Sequence, residues 1–281
     1  MANYSLQDLK ALREKTGAGM LDVKKALEEA DGDADKALEI IRVKGLKGVS
    51  KREGRSASDG LVTAQVTPTA DGEGESGVIV EINSETDFVA KNATFLTLAE
   101  KVLATAVSSG ARDADALVST DVDGTSLQTI VDETAATLGE KIVVRRVGRV
   151  AGERVALYLH KVNKDLPPQV GVLVATDVAG AAVARDIATH IAAFSPLYLS
   201  RDEVPAETVE NERRIAEETA RNEGKPEAAL TKIVEGRLNG YFKDVVLLDQ
   251  AFAKDAKKSV AQVLAEVGGT VTGFVRFRVG A

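Results

Sequence analysis

Within the polar run Asn83-Ser-Glu-Thr-Asp-Phe-Val-Ala-Lys-Asn92, an acid and an aromatic ring stand side by side as Asp87-Phe88. Such a pair is built for recognition. The ring offers apolar area to bury in a partner, and the carboxylate accepts hydrogen bonds from that partner's donors. Phe88 is one of 7 phenylalanines in 281 residues, so its neighbourhood carries information. Covalent chemistry finds few parts elsewhere. The sequence has no Gly-x-x-x-x-Gly-Lys-Ser/Thr phosphate loop, no Gly-x-Ser-x-Gly elbow and no His-Glu-x-x-His. It has no cysteine, hence no thiolate nucleophile, disulfide or zinc-thiolate site, which fits a reducing cytoplasm. Asp31, Asp33 and Asp35 begin like a calcium loop, but Lys36 stands where the bend needs glycine and Arg42 where a bidentate glutamate belongs. They read as turn and cap residues. No cofactor and no metal is expected.

The elements around Asp87-Phe88 must hold it. Gly77-Val-Ile-Val-Glu81 is rich in β-branched residues and predicts a strand; Phe95, Leu98, Ala99, Val102, Leu103 and Ala106 recur at helical spacing. The pair therefore belongs to a strand-to-helix loop, where binding residues concentrate. Two readings of Phe88 follow: an exposed contact, or a lid folded back on the helix start with Ser84, Thr86 or Asn92 as N-cap.

Residues 1–45 predict three short helices. Ser5 and Asp8 have capping-box spacing ahead of Leu6, Leu9 and Leu12; Thr16-Gly-Ala-Gly19 breaks that helix. Val23, Ala26, Leu27 and Ala30 mark the second, and Ala34, Ala37, Leu38 and Ile41 the third, with Asp33 as its N-cap. Residues 46–59, with glycine, serine and charge but little apolar period, predict a flexible linker that lets the bundle reorient. Beyond it the chain repeats itself, as a lobe over 60–150 and another over 151–281. Leu61–Val66 precedes Gly77–Val80 by the same interval that separates Val155–Leu159 from Gly171–Val174. Each pair is followed by a helix (Phe95–Val107, Val183–Phe194), and each lobe closes with a helix after Ser126 or Ser259 and a third strand, Lys141–Val147 or Thr272–Val279. The second lobe holds extra residues at about 205–240, two helical patterns around Gly224-Lys-Pro226 that predict an antiparallel hairpin projecting as an arm. The expected fold class is α+β: a three-helix bundle, then two lobes, each with a three-stranded antiparallel sheet and helices.

Charge narrows the partners. With 36 basic and 43 acidic residues the net charge is -7, which disfavours nucleic acid as the main partner. The basic cluster Lys44, Lys47, Lys51, Arg52 and Arg55, against Glu53 alone, lacks interleaved aromatics and reads as a solvated linker. No apolar run approaches membrane length, and the N-terminus lacks the regions of a signal peptide.

Glu85-Thr-Asp-Phe-Val-Ala-Lys-Asn92 resembles the signature of the elongation factor Ts family, the bacterial guanine-nucleotide exchange factors for elongation factor Tu. Leu12-Arg-Glu-Lys-Thr-Gly-Ala-Gly-Met-Leu-Asp-Val-Lys-Lys-Ala-Leu27 resembles the family's N-terminal motif, and His190-Ile-Ala-Ala193, Val234-Glu-Gly-Arg237 and Val271-Thr-Gly-Phe-Val-Arg-Phe277 match in family order. The resemblance implies a translation factor that makes no covalent bond, binds elongation factor Tu, neither nucleotide nor nucleic acid, and promotes GDP release. It implies that Thr86, Asp87, Phe88 and Val89 dislocate the partner's magnesium ion, and that Arg13, Met20, Leu138, Gly139 and His160 make further contacts. The N-terminal bundle would be of the ubiquitin-associated type, the hairpin could support a two-to-two assembly, and a C-terminal helical module of some members is expected to be missing after Ala281. From residues alone His160 fits either a solvated strand end or a contact, whereas His190, in an apolar helix, fits a packed residue. The competing readings are a scaffold acting through bundle and arm, and an RNA-binding factor using the basic segment.

Overall fold

The computed structural model describes residues 3–16 and 18–281, and for 46–51 the backbone. Three helices open the chain: α1 (Leu6–Thr16), α2 (Met20–Glu29) and α3 (Ala34–Arg52). Their narrow apolar stripes close on one another, with Leu9, Leu12, Val23, Ala26, Leu27, Ala37 and Ile41 as the core. The caps are those the sequence predicts. The Ser5 amide donates to the Asp8 carboxylate at 2.8 Å while the Asp8 amide returns to the Ser5 hydroxyl at 3.1 Å, and Asp33 accepts the amides of Asp35 and Lys36. Of the Thr16–Gly19 break, Gly17 lies outside the described residues.

One expectation is corrected. Helix α3 runs on to Arg52 through much of the segment whose composition predicts a linker. Tertiary support explains it: a helix with weak apolar period persists when a neighbour completes its face. That neighbour is α7 (Leu127–Leu138) of the first lobe. Arg42 pairs with Glu133 at 2.6 Å, and buried Gly45 lies so close to α7 that a Cβ there would sit 2.2 Å from the Ala136 carbonyl oxygen.

The first lobe contains β1 (Asp59–Pro68), β2 (Glu75–Ser84), α4 (Asp87–Ala90), α5 (Ala93–Ser109), α6 (Ala114–Val118), the short ribbon β3 (Asp121–Val122) and β4 (Thr125–Ser126), then α7 and β5 (Val143–Gly152). The second contains β6 (Arg154–His160), β7 (Val170–Thr176), α8 (Ala181–Phe194), α9 (Ala206–Asn222), α10 (Glu227–Val245), the ribbon β8 (Ala251–Phe252) and β9 (Asp255–Ser259), α11 (Val260–Val267) and β10 (Val271–Arg278). Each lobe has one antiparallel three-stranded sheet, in the orders β1-β2-β5 and β10-β7-β6.

The middle strands show why. Val78-Ile-Val-Glu-Ile82 and Val170-Gly-Val-Leu-Val-Ala175 lack the polar alternation of a half-exposed strand, and both are buried on two faces. Val78, Val80 and Ile82 face α5 and α7, as Val172 and Val174 face α8 and α11. The opposite faces meet: Val62 and Ile79 pack against Val155, Leu173, Ala175 and Phe277. The order of layers is therefore helices, sheet, sheet, helices. Gly171 permits the closest approach, since a Cβ there would lie 2.5 Å from Val62 Cγ1 and 2.8 Å from Ile79 Cδ1. At the edge of this seam Glu81, 1% exposed, is paired with Arg146 at 2.6 Å and accepts a hydrogen bond from the Asn83 side-chain Nδ2 at 3.1 Å.

The predicted arm is α9 and α10. Its second helix extends beyond residue 240 to Val245, and Ala216, Val234 and Leu238 form its small core with Phe242. Among the described residues no helix is long and apolar enough to cross a membrane.

Candidate functional site

Strand β2 ends at Ser84 and the chain turns before α5. Thr86, in extended backbone, caps α4 by accepting the Val89 amide on its hydroxyl, and Asn92 caps α5 by accepting the Thr94 amide at 2.8 Å. Asp87 and Phe88 therefore do not ride an open loop; they form the first half of a one-turn helix too short to leave a periodic signal. Val89 and Ala90 turn inward and are buried, which leaves Phe88 on the outer side, 73% exposed. The lid reading of this ring is overturned. The Lys91 ammonium lies 4.6 Å from the ring centroid and 3.5 Å from the Asp87 carboxylate, so one cation serves both groups at the surface.

Two carboxylates hold the turn beneath. Glu140 Oε2 accepts the amides of Glu85 at 3.1 Å and Thr86 at 3.0 Å, and its Oε1 accepts the Thr86 hydroxyl at 2.6 Å. Glu85 reciprocates by accepting the Lys141 amide at 2.7 Å, and it also meets the Arg55 guanidinium at 3.2 Å. Lys141 Nζ donates to the carbonyls of Glu53 and Arg55. The end of β2, the α7–β5 junction and the chain leaving α3 thus converge on the segment that presents Phe88.

Several predicted site residues converge with it. Arg13, Phe88, Val89 and Leu138 line one depression of about 390 Å³, together with Glu14 and Asn92. Leu138 ends α7 and is buried, and Gly139 stops the helix in left-handed backbone at φ 79. Met20, at the start of α2, is 46% exposed, and neighbouring Leu21 is exposed as well. Gly139 borders a second depression, with Gly19, Asp22 and Thr137, where the bundle meets α7. His160 stands apart from both, at the exposed end of β6, its Nδ1 3.0 Å from the Tyr158 hydroxyl. His190 is buried in α8. The Ala253 amide donates to its Nδ1 at 3.1 Å, so Nε2 carries the proton toward Gln250 Oε1 at 2.8 Å, and burial holds its pKa below the usual imidazole value.

Sequence reasoning missed Leu21, Glu14 and Glu140 at this surface. Leu21 sits in the quoted N-terminal motif beside Met20, a signal at hand. Glu140 acts across a long stretch of chain and leaves no local pattern.

Among the described residues no cluster of side chains could hold a metal ion. The fold and the surface define a two-lobed α+β protein with a helical head docked on its first lobe and an aromatic side chain held out on a clasped turn. The family model for "Elongation factor TS" matches residues 85–281. Proteins named elongation factor Ts from Beutenbergia cavernae, Kocuria rhizophila and Kineococcus radiotolerans are 70%, 64% and 56% identical to this chain, each alignment covering the whole of both sequences. The chain belongs to the elongation factor Ts family, and its role is that of a translation elongation factor.

Proposed function

We propose that the protein binds elongation factor Tu in its GDP form and promotes release of the nucleotide, with Phe88 as the wedge. The exposed ring, carried on a turn clasped from below, is the observation that supports this reading. Entry of Phe88 into an apolar crevice of the partner would contribute about 1.5–3 kcal/mol of burial, set against displacement of a packed helix there. Asp87 accepts hydrogen bonds from the displaced segment, while Thr86 and Val89 shape the turn. Disturbing the partner's magnesium site removes positive charge from beside the phosphates and loosens GDP. No covalent step is needed: a protein that binds the empty GTPase more tightly than the loaded one weakens nucleotide binding by the same factor.

The depression beside Phe88 extends the contact. Arg13 and Leu138 at its wall, with Met20 and Gly139 nearby, are assigned to the nucleotide-binding domain of the same partner, and Met20 supplies an adaptable apolar contact. His160 is assigned to a separate contact from the second lobe.

Stopped-flow release of a fluorescent GDP from elongation factor Tu tests the wedge. Phe88→Ala is expected to lower the accelerated rate roughly tenfold to hundredfold, the cost of a lost positioning contact, with thermal unfolding unchanged because the ring is exposed in the free protein. Equal acceleration by wild type and variant would remove Phe88 from the mechanism.

A further inference from the structure

We infer that Glu140 is a positioning residue for exchange: its carboxylate sets the angle at which Phe88 is presented, without itself meeting the partner. This rests on the proposed wedge and deepens it. Glu140 is half-buried and spends its oxygens on three donors of the two residues before Asp87, the amides of Glu85 and Thr86 and the Thr86 hydroxyl. These are charge-assisted bonds to backbone, the kind that fixes chain direction as well as position. Thr86 is also the cap of α4, so a displaced Thr86 would unwind the only turn that separates inward Val89 from outward Phe88.

The second lobe shows the corresponding junction with no side chain at this position and a shorter turn above it. Its helix α11 ends, like α7, in a left-handed glycine, Gly268 at φ 65 against Gly139 at φ 79, so the residue that follows, Gly269, stands where Glu140 stands in the first lobe. There the helix-entry segment collapses onto the junction: a Cβ on Gly269 would lie 2.3 Å from the Gly180 amide nitrogen. Between β7 and α8 the described residues form no helical turn like α4. The first lobe's connection is also longer, 85–92 against 177–180, and the Glu140 carboxylate fills the gap beneath that longer turn and holds it outward.

The test combines Glu140→Ala with Phe88→Ala in the stopped-flow assay on elongation factor Tu loaded with fluorescent GDP. Glu140→Ala is expected to lower the maximal rate of release roughly tenfold, with the half-saturating concentration changed less, because a misplaced contact costs rate before affinity. Added to Phe88→Ala it should change almost nothing, since it acts through that ring. Glu140→Gln, which keeps an acceptor for both amides, should restore most of the rate; Glu140→Met, which keeps the volume and offers no oxygen, takes the place of the alanine variant if that unfolds and is expected to lose rate in the same way. Amide hydrogen exchange of residues 86–89 should accelerate in Glu140→Ala and stay near wild type in Glu140→Gln. Full additivity with Phe88→Ala, or unchanged exchange at residues 86–89, overturns the inference. Failure of wild type to release GDP would instead remove the wedge reading, and the amide exchange would still decide whether Glu140 holds the turn.

Discussion

The two lobes meet the same problem at the same place and solve it differently. In each, the residue just past the middle strand is an acid that ties the strand end to the entry of the third strand. Glu85 accepts the Lys141 amide at 2.7 Å, and Asp177 accepts the Thr270 amide at 3.0 Å. The chain then diverges. Asp177 also accepts the Gly180 amide at 2.7 Å, which draws the start of α8 down onto Gly269 and leaves a short, closed turn. In the first lobe Glu140 occupies that space and supports an additional helical turn, from which Phe88 projects. The repeat supplies the scaffold; a longer connection between strand and helix, 85–92 against 177–180, with one carboxylate beneath it, replaces a turn that only connects with one that holds out an aromatic side chain.

Gly269→Ala should be the most damaging change to this pattern. Its Cβ would lie 2.3 and 2.4 Å from the backbone N and Cα of Gly180, atoms that no rotamer change can move. A loss of about 3 kcal/mol in urea unfolding is expected from overpacking at this site. At the preceding position of the first lobe the outcome differs in size and cause. Gly139→Ala meets nothing within 4 Å and suffers only the strain of φ 79, about 1 kcal/mol. Equal losses at the two sites would show that the close approach in the second lobe is not what constrains the turn.

The shared scaffold was readable in the sequence because its signals are local. Gly77–Val80 and Gly171–Val174 announce buried strands, and Ser126 and Ser259 announce helix starts. The arm that only the second lobe carries was legible for the same reason, from Gly224-Lys-Pro226. The features that were not readable are tertiary. Helix α3 continues past Gly45 because α7 lies against it, and no residue within that segment reveals the neighbour. Helix α4 has one turn, below the length at which periodicity exists, so its residues read as loop. The exposure of Phe88 depended on knowing that Val89 and Ala90, its neighbours, would turn inward. Resemblance to a family supplied the site residues, but not the carboxylate that supports them.

A difference of intermediate size lies in the helices that follow each turn. By burial pattern His190 of α8 corresponds to Lys101 of α5, which is exposed; His190 is covered by the chain after α10 and bonded to Gln250. Burial depresses its pKa below 6.5 in the folded state, opposed in part by the bond to Gln250. Between the folded and unfolded values the unfolded chain binds the extra proton, so stability rises with pH in that window and is lost as pH falls below about 6.5. Urea midpoints between pH 7 and pH 5 should fall in wild type with a slope of at most ~1.4 kcal/mol per pH unit from this group, and the slope should flatten in His190→Gln. Identical slopes would place the acid sensitivity elsewhere.

The smallest expected effect separates the two acid ties from each other. The Thr270 amide, then the Gly180 amide and the Thr270 hydroxyl, hold the Asp177 carboxyl below its ordinary value of 3.8. Its folded pKa being depressed, its contribution is complete above that value and disappears as pH falls through the folded one. Asp177 is half-buried, so the solvent that still reaches it screens the charge and keeps the contribution small, and it is visible only at the acid end of a pH series. Asp177→Asn keeps an acceptor and removes the charge: thermal unfolding below pH 4 should depend less on pH than in wild type. GDP release from elongation factor Tu should be unchanged, because the second lobe's turn carries no aromatic contact. Glu85→Gln makes the corresponding change beneath Phe88, where it weakens the tie to Lys141 and Arg55, and there the release rate should fall. If Asp177→Asn slowed exchange as much as Glu85→Gln, the second junction would itself be part of the partner surface, and the division of the two turns into connector and contact would fail.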